Sequence, residues 1–182
     1  LHSFRLPKFG RIGKRRRGKL LDFWEDRLKG VEYNINKFKA VYGRSTSPIV
    51  NKVNNILAKA YVKARRRVSM LDLTKESSFS PLHLDLTPAN MFARKRKVVL
   101  VDWGSSKIGD PAHELSTFFL ANNLSKSEIE SFFRHYKTSD NSMLARVGAD
   151  MPLVAIGNVC WYLTKGKESI NLDIGPEVVK SF

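Results

Sequence analysis

Apolar residues recur at helical spacing through most of this chain, and the exceptions cluster in one short stretch. From Lys19 to about Tyr42 the positions Leu21, Trp24, Leu28, Val31, Ile35, Phe38 and Tyr42 share a helical stripe, which predicts two helices broken near Gly30. Ser47-Pro48 reads as an N-cap with proline in the first turn. A long amphipathic helix then carries Ile49, Val53, Ile56, Leu57, Ala60, Tyr61, Ala64 and Val68 on its apolar side. Ser125-Lys126-Ser127-Glu128 is a capping-box pattern leading into Ile129, Phe132, Phe133 and Tyr136. A further helix is expected from about Ser142 to Leu163, and Ile174-Gly175-Pro176 opens a last short one.

The period changes after Ser77. Phe79 to Leu86 is extended in character, with Pro81 and Pro88 excluding a helix there. Val98-Val99-Leu100-Val101 reads as a β-branched strand, set off from Asn90-Met91-Phe92 by the polar turn Arg94-Lys95-Arg96-Lys97, which predicts a small hairpin. Residues 1–18 scatter Pro7, Gly10, Gly13 and Gly18 among basic residues and read as a linker. The fold class is therefore α+β, a mostly helical body holding one β hairpin.

A length of 182 residues is ample for a packed core. The expectation from composition is that no apolar run is long enough to cross a bilayer, and the basic, broken opening Leu1-His2-Ser3-Phe4-Arg5 is not a signal peptide. The chain opens without a methionine, as an excerpt of a longer protein would. Cys160 stands alone in an apolar stretch, which excludes an intramolecular disulfide, points to a cytoplasmic setting and marks a core thiol rather than a nucleophile. The net charge of +15 is unevenly placed: residues 1–67 carry 19 Lys and Arg against 4 Asp and Glu, while the remainder is balanced at 13 against 13. The runs Lys14-Arg15-Arg16-Arg17 and Lys63-Ala64-Arg65-Arg66-Arg67 would suit a polyanion. A solvated face is the commoner use of such charge, so a nucleic-acid partner is the less favoured reading.

The chemistry-bearing segment is His83-Leu84-Asp85-Leu86-Thr87-Pro88-Ala89-Asn90, of pattern H-x-D-x-x-x-x-N, followed across the hairpin by Val101-Asp102-Trp103-Gly104. Taken singly, each residue has an ordinary structural use: Asp and Asn favour turns, Asp102 suits a helix cap, and a lone histidine is commonly a packing residue. Taken together, they suit phosphoryl transfer. Mg²⁺ takes hard oxygen ligands, usually one or two from the protein, and Asn90 and Asp102 are such a pair. Asp85 is then left to face an acceptor hydroxyl as general base.

The paired motifs resemble the catalytic and metal loops shared by protein kinases and the aminoglycoside phosphotransferase and choline kinase group. Ile108-Gly109-Asp110-Pro111-Ala112-His113-Glu114-Leu115 is similar to the G-D-P-x-x-D/E-L segment of the small-molecule branch, and no A-P-E closes an activation segment. The resemblance implies the larger, C-terminal lobe of a protein-kinase-like fold over 19–182. Asp85 would be the catalytic base, His83 the residue holding the loop, and Asn90 and Asp102 the ligands of Mg²⁺ beside ATP. Asp110 and Glu114 would be structural, bonding amides at the start of the following helix. Relatives carry glycine where Leu84 stands and histidine where Thr87 stands, so the local backbone is expected to differ. His113 and His135 have no partners in sequence and read as structural.

A kinase of this kind also needs a nucleotide lobe, and none fits before residue 19, so that lobe is expected upstream of Leu1. Gly13 to Lys19 matches G-x-x-x-x-G-K, but Leu20 replaces the required Ser or Thr and no strand precedes it, so it reads as basic linker. The basic region before the loop disfavours a polycationic aminoglycoside and favours a neutral or anionic small-molecule hydroxyl acceptor. The competing readings are an atypical protein kinase, an inactive kinase-like module, and a basic RNA-binding module.

Overall fold

The structure, a computed structural model, describes residues 6–11, 16–74, 79–95, 97–136, 138 and 140–169. The basic run at 14–17 is only partly among them, as is the Gly13–Lys19 pattern, and the short helix expected at 174–176 lies outside.

Residues 20–42 form one helix, α1 (Leu20–Tyr42), not two. Gly30 does not break it, and the magnitudes show why. A glycine inside a helix costs about 1 kcal/mol relative to alanine, whereas each buried large apolar side chain contributes about 1.5–3 kcal/mol. Leu20, Trp24, Val31, Ile35 and Phe38 are all buried along this helix, spanning both sides of Gly30. Gly30 itself is exposed, and a Cβ added there would meet nothing within 4 Å. Helix α2 (Pro48–Ser69) starts at Ser47 with Pro48 in its first turn and buries Val53, Leu57, Ala64 and Val68. Lys52, Lys59, Lys63 and Arg65 to Arg67 lie on its exposed face.

The stretch read as a linker contains β-structure. Strands β1 (Lys8–Arg11) and β2 (Arg16–Arg17) pair antiparallel, and β1 continues onto a distant strand. With β3 (Ser80–Leu82), β4 (Met91–Arg94), β5 (Lys97–Leu100) and β6 (Lys107–Gly109) assigned in chain order, the main sheet runs β2-β1-β6-β3. Its pairings include Gly10 with Ile108 and Pro81 with Ile108. The predicted hairpin is β4–β5, a separate ladder in which Met91 faces Leu100 and Arg94 faces Lys97.

Three helices complete the described chain: α3 (Pro111–Ala121), α4 (Lys126–His135) and α5 (Met143–Ser169). The capping box of α4 forms as expected, with Glu128 accepting from the Ser125 amide at 2.8 Å. Two apolar clusters hold the elements together. The larger joins α1, α2 and the later part of α5 to Phe9, Phe79 and Ile108; the smaller joins α3, α4 and the start of α5 around Phe119, Phe132 and Val147. Cys160 is buried in the larger cluster, and burial pushes its thiol up to about 11, which suits a packing residue.

One expectation from composition is corrected. Met143–Lys165 of α5 is long and apolar enough to cross a membrane by length and composition, although half of it is buried within the protein. It also carries Arg146 and Asp150, both buried and both ion-paired, as a central packing helix does.

Arg146 ties the start of α5 to its surroundings. Its guanidinium donates to both oxygens of Asp110 and pairs with Asp140 at 2.8 Å. Partial burial opposes ionisation of Asp140, but hydrogen bonds from Arg146 and Ser142 outweigh it and hold the carboxyl at about 2. A carboxyl lowered on folding adds stability above its unfolded value and loses it as pH falls towards the folded one. Asp140→Asn should therefore cost about 1 kcal/mol at pH 7, after discounting for a partly exposed side chain. Denaturation midpoints of the two proteins should converge between about pH 4 and pH 2; a gap that persists at pH 2 would contradict this.

Candidate active site

The residues singled out in sequence meet at one edge of the sheet. His83 follows β3 and is fully buried. Its Nδ1 accepts from the Asp85 amide at 3.3 Å, and its Nε2–H donates to the Val101 carbonyl at 2.8 Å, so one tautomer satisfies both bonds. Its ring also rests against Trp103, with centroids 4.7 Å apart. Asn90 closes a short 3₁₀ turn (Pro88–Asn90), and its Nδ2 donates to Asp85 twice, to the backbone carbonyl at 2.9 Å and to Oδ2 at 2.8 Å. The Asn90 carbonyl in turn accepts from the Val101 amide at 3.1 Å. Both backbone groups of Val101 are thus held by the loop opposite, and Asp102 is the next residue.

Asp102 is exposed and left-handed, at φ 56°, with its Oδ1 accepting from the Gly104 amide at 3.2 Å. Aspartate tolerates this region better than most side chains because it bonds locally. Leu84, at φ 64°, has no such excuse, and an L-residue pays about 1–2 kcal/mol there. It occupies the position where the resemblance leads one to expect glycine, which adopts that conformation freely. The amide of Leu84 is secured by Glu114.

Glu114 corrects an expectation. Its Oε1 accepts from the amides of His83 and Leu84, both at 2.7 Å, so it reaches back to the loop thirty residues upstream. Asp110 does what was expected, capping α3 by accepting from the Ala112 amide at 3.0 Å. It also accepts from Trp24 Nε1 at 3.0 Å, joining α1 to this end of α3. The far end of α3 supports the loop as well, through Asn122 Nδ2 donating to the Leu86 carbonyl at 2.8 Å.

Asp85 opens onto a cleft of about 930 Å³. Its wall includes Arg11 from β1, Arg27 and Asn34 from α1, Lys107 from β6, His113 and Thr117 from α3, and Trp161 and Tyr162 from α5. Asn90 and Asp102 do not line this cleft; they lie to the side where the hairpin begins and ends. His113 donates from Nδ1 to Asp150 at 2.7 Å, and Arg27 Nε donates to the other oxygen of Asp150 at 3.0 Å. Burial, reinforced by the nearby charge of Arg27, holds the His113 ring below the usual histidine range. For Asp150, burial acts upward, but the charges of Arg27 and His113 prevail and lower it. Nothing in sequence announces these wall residues, because they come from five separate elements.

The donor set suits a hard cation. Asn90 commits its nitrogen to Asp85, which leaves Oδ1 as its remaining donor atom, and Asp102 offers a solvent-facing carboxylate. Two oxygen ligands are what Mg²⁺ ordinarily takes from a protein when phosphates and water supply the rest. Among the described residues no cluster of three or more His, Cys, Asp or Glu forms an alternative metal cage.

Comparison with known proteins places the chain in a family. The profile of the phosphotransferase enzyme family matches residues 6–148, which includes every residue of the loop, the hairpin and the Asp110 segment. The chain belongs to that family. It is 27% identical over 116 residues to LicA of Haemophilus influenzae, covering 60% of this chain and 43% of that protein. It is 39% identical over 61 residues to a LicA homologue of Mycoplasma capricolum, covering 34% of this chain and 25% of the other. Among solved structures, choline kinase LicA from Streptococcus pneumoniae superposes with a TM-score of 0.58 at 21% identity, over 82% of this chain and 51% of that one. LicA in complex with AMP gives 0.54 at 19% identity, over 83% and 50%. This family member therefore has a kinase-like fold and spans about half the length of those solved relatives.

Proposed function

We propose that the full-length protein transfers the γ-phosphoryl group of ATP to a hydroxyl of a small metabolite. Residues 19–182 would be its larger lobe and residues 1–18 the connection to a nucleotide lobe, with the reaction drawing on cytoplasmic ATP. The acceptor oxygen bonds the γ-phosphorus as that phosphorus parts from the β,γ-bridging oxygen; ADP leaves, and the hydroxyl proton passes to Asp85. Asn90 and Asp102 would hold Mg²⁺, which offsets the charge of the phosphates when bound. His83 positions both loops at once, through the Asp85 amide on one side and the Val101 carbonyl on the other.

The observation that supports this reading best is the Asn90 bridge. It fixes the carboxylate that needs a defined direction while freeing the amide oxygen that a cation needs. Calorimetric titration of the full-length protein with Mg²⁺ and a non-hydrolysable ATP analogue tests it. Metal-dependent binding should fall by at least about 10-fold in Asp102→Ala, the loss of one charged ligand. Equal binding in both proteins, or none in either, would sink the assignment.

A second reading concerns the acceptor. Trp161 and Tyr162 pack edge to face at 5.0 Å on the cleft wall, both largely exposed, and Lys165 already lies 5.9 Å from the Trp161 ring centre. Aromatic faces of this kind attract quaternary ammonium groups, and LicA from Streptococcus pneumoniae, one of the solved relatives named above, is described as a choline kinase. An amino alcohol such as choline is the acceptor on this reading.

A further inference from the structure

The wall of the cleft below Asp85 is cationic, and its cations converge from three elements that are distant in sequence. Arg11 comes from β1, Arg27 from α1 and Lys107 from β6. Asp85 is the one carboxylate among the described residues lining that cleft. The same three cations also border an adjoining cavity of about 290 Å³, where Asp26 is the one carboxylate. Arg27 is joined to Asp150 through Nε, and that buried carboxylate also accepts from His113. Among the described residues Arg11 and Lys107 form no ion pair. Burial, with the charges of Arg11 and Arg27 adding to it, holds the Lys107 ammonium below its ordinary value. Like charges held close together raise the energy of a partly desolvated site, and an anion placed among them lowers it.

We propose that the acceptor carries an anionic group, a phosphate or carboxylate, which Arg27, Lys107 and Arg11 hold while its hydroxyl faces Asp85. The inference rests on the phosphotransferase reading and narrows its acceptor to an anionic class, in place of the choline reading. The transfer itself is unchanged: the acceptor oxygen gains the phosphoryl group, Asp85 takes the hydroxyl proton and ADP departs. The anionic group stays intact and serves to orient the acceptor. A guanidinium suits this work because its fork can bond a second oxyanion while Nε remains on Asp150.

The test uses the full-length protein with Mg·ATP and four probes: glycerol 3-phosphate, glycerate, glycerol and choline. Turnover is read as ADP release, with the product verified by phosphorus NMR, and binding of each probe to the Mg·ADP complex is read by calorimetry. An anionic probe should bind and turn over with kcat/KM about 10-fold or more above glycerol and choline, as loss of one charged hydrogen bond implies. Comparison of the phosphate with the carboxylate shows which anion is preferred. Lys107→Met and Arg27→Gln should each raise KM for the anionic probe about 10-fold while KM for ATP stays within about twofold. Arg27 also braces Asp150, so Lys107→Met and Arg11→Gln, whose side chains hold no buried carboxylate among the described residues, carry the test if Arg27→Gln does not fold.

A rise in KM for ATP in place of the acceptor would assign the cations to the nucleotide's phosphates and overturn the proposal. A preference for choline that survives these substitutions would do the same. So would the absence of both binding and turnover for the two anionic probes while Mg·ATP still binds; in these cases the phosphotransferase reading stands. Failure to bind Mg·ATP at all removes that reading and the inference with it.

Discussion

Asp85→Asn in the full-length protein should lower kcat by about 10²–10⁴-fold, equivalent to roughly 3–5 kcal/mol, with KM for ATP little changed. The substitution is close to isosteric and keeps an oxygen for the Asn90 amide, which now donates to Asp85 at 2.8 Å. The loop should therefore hold its shape, with the His83, Glu114 and Asn122 bonds untouched. What disappears is the ability to accept a proton from the acceptor. A loss confined to KM would mean that Asp85 only binds substrate. A loss smaller than about threefold would remove it from the proposed chemistry altogether.

The largest stability effect should come from a residue beyond the cleft. Asp110→Ala is expected to destabilise the fold by about 3–5 kcal/mol, the usual cost of stranding the partner of a buried ion pair. Arg146 is 4% exposed and donates to both Asp110 oxygens, at 2.7 and 3.1 Å. The same carboxylate satisfies Trp24 Nε1 and the first turn of α3. Asp110→Asn should cost less, since an amide oxygen still accepts two of these bonds. Thermal melts of both variants measure the difference. Equal and small shifts would show that Asp140 and Ser142 alone suffice to hold Arg146.

What was legible in the sequence was what local chemistry dictates. The Pro48 start of α2, the Ser125–Glu128 capping box of α4 and the β4–β5 hairpin all depend on residues within a few positions of one another. So did the grouping of His83, Asp85, Asn90 and Asp102, because the hairpin between them is itself local. The strands β1 and β2 were hidden because their partner supplies the reason for them: β1 pairs with β6, nearly a hundred residues on. The continuity of α1 through Gly30 was hidden for a related reason, since burial on both sides outweighs a glycine whose cost is visible locally. Glu114 was seen as a structural residue, but its reach back to the His83 and Leu84 amides was not, as no pattern links positions thirty apart. The cationic wall was the least legible feature. Its charges are few among the many basic residues of the first 67, and only folding separates them from the solvated face of α2.

The double hold on Val101 has a consequence for how such sites diverge. Because its amide is fixed by Asn90 and its carbonyl by His83, the approach of Asp102 to the loop does not depend on how many residues the hairpin contains. Insertions or deletions at the Arg94–Lys97 tip would lengthen or shorten a projecting ribbon and leave its base where it is. The interval between Asn90 and Asp102 is thus an elastic quantity, whereas the five-residue step from Asp85 to Asn90, clamped by two bonds from one side chain, is rigid. A search for distant relatives of this chain should hold the second spacing constant and let the first vary.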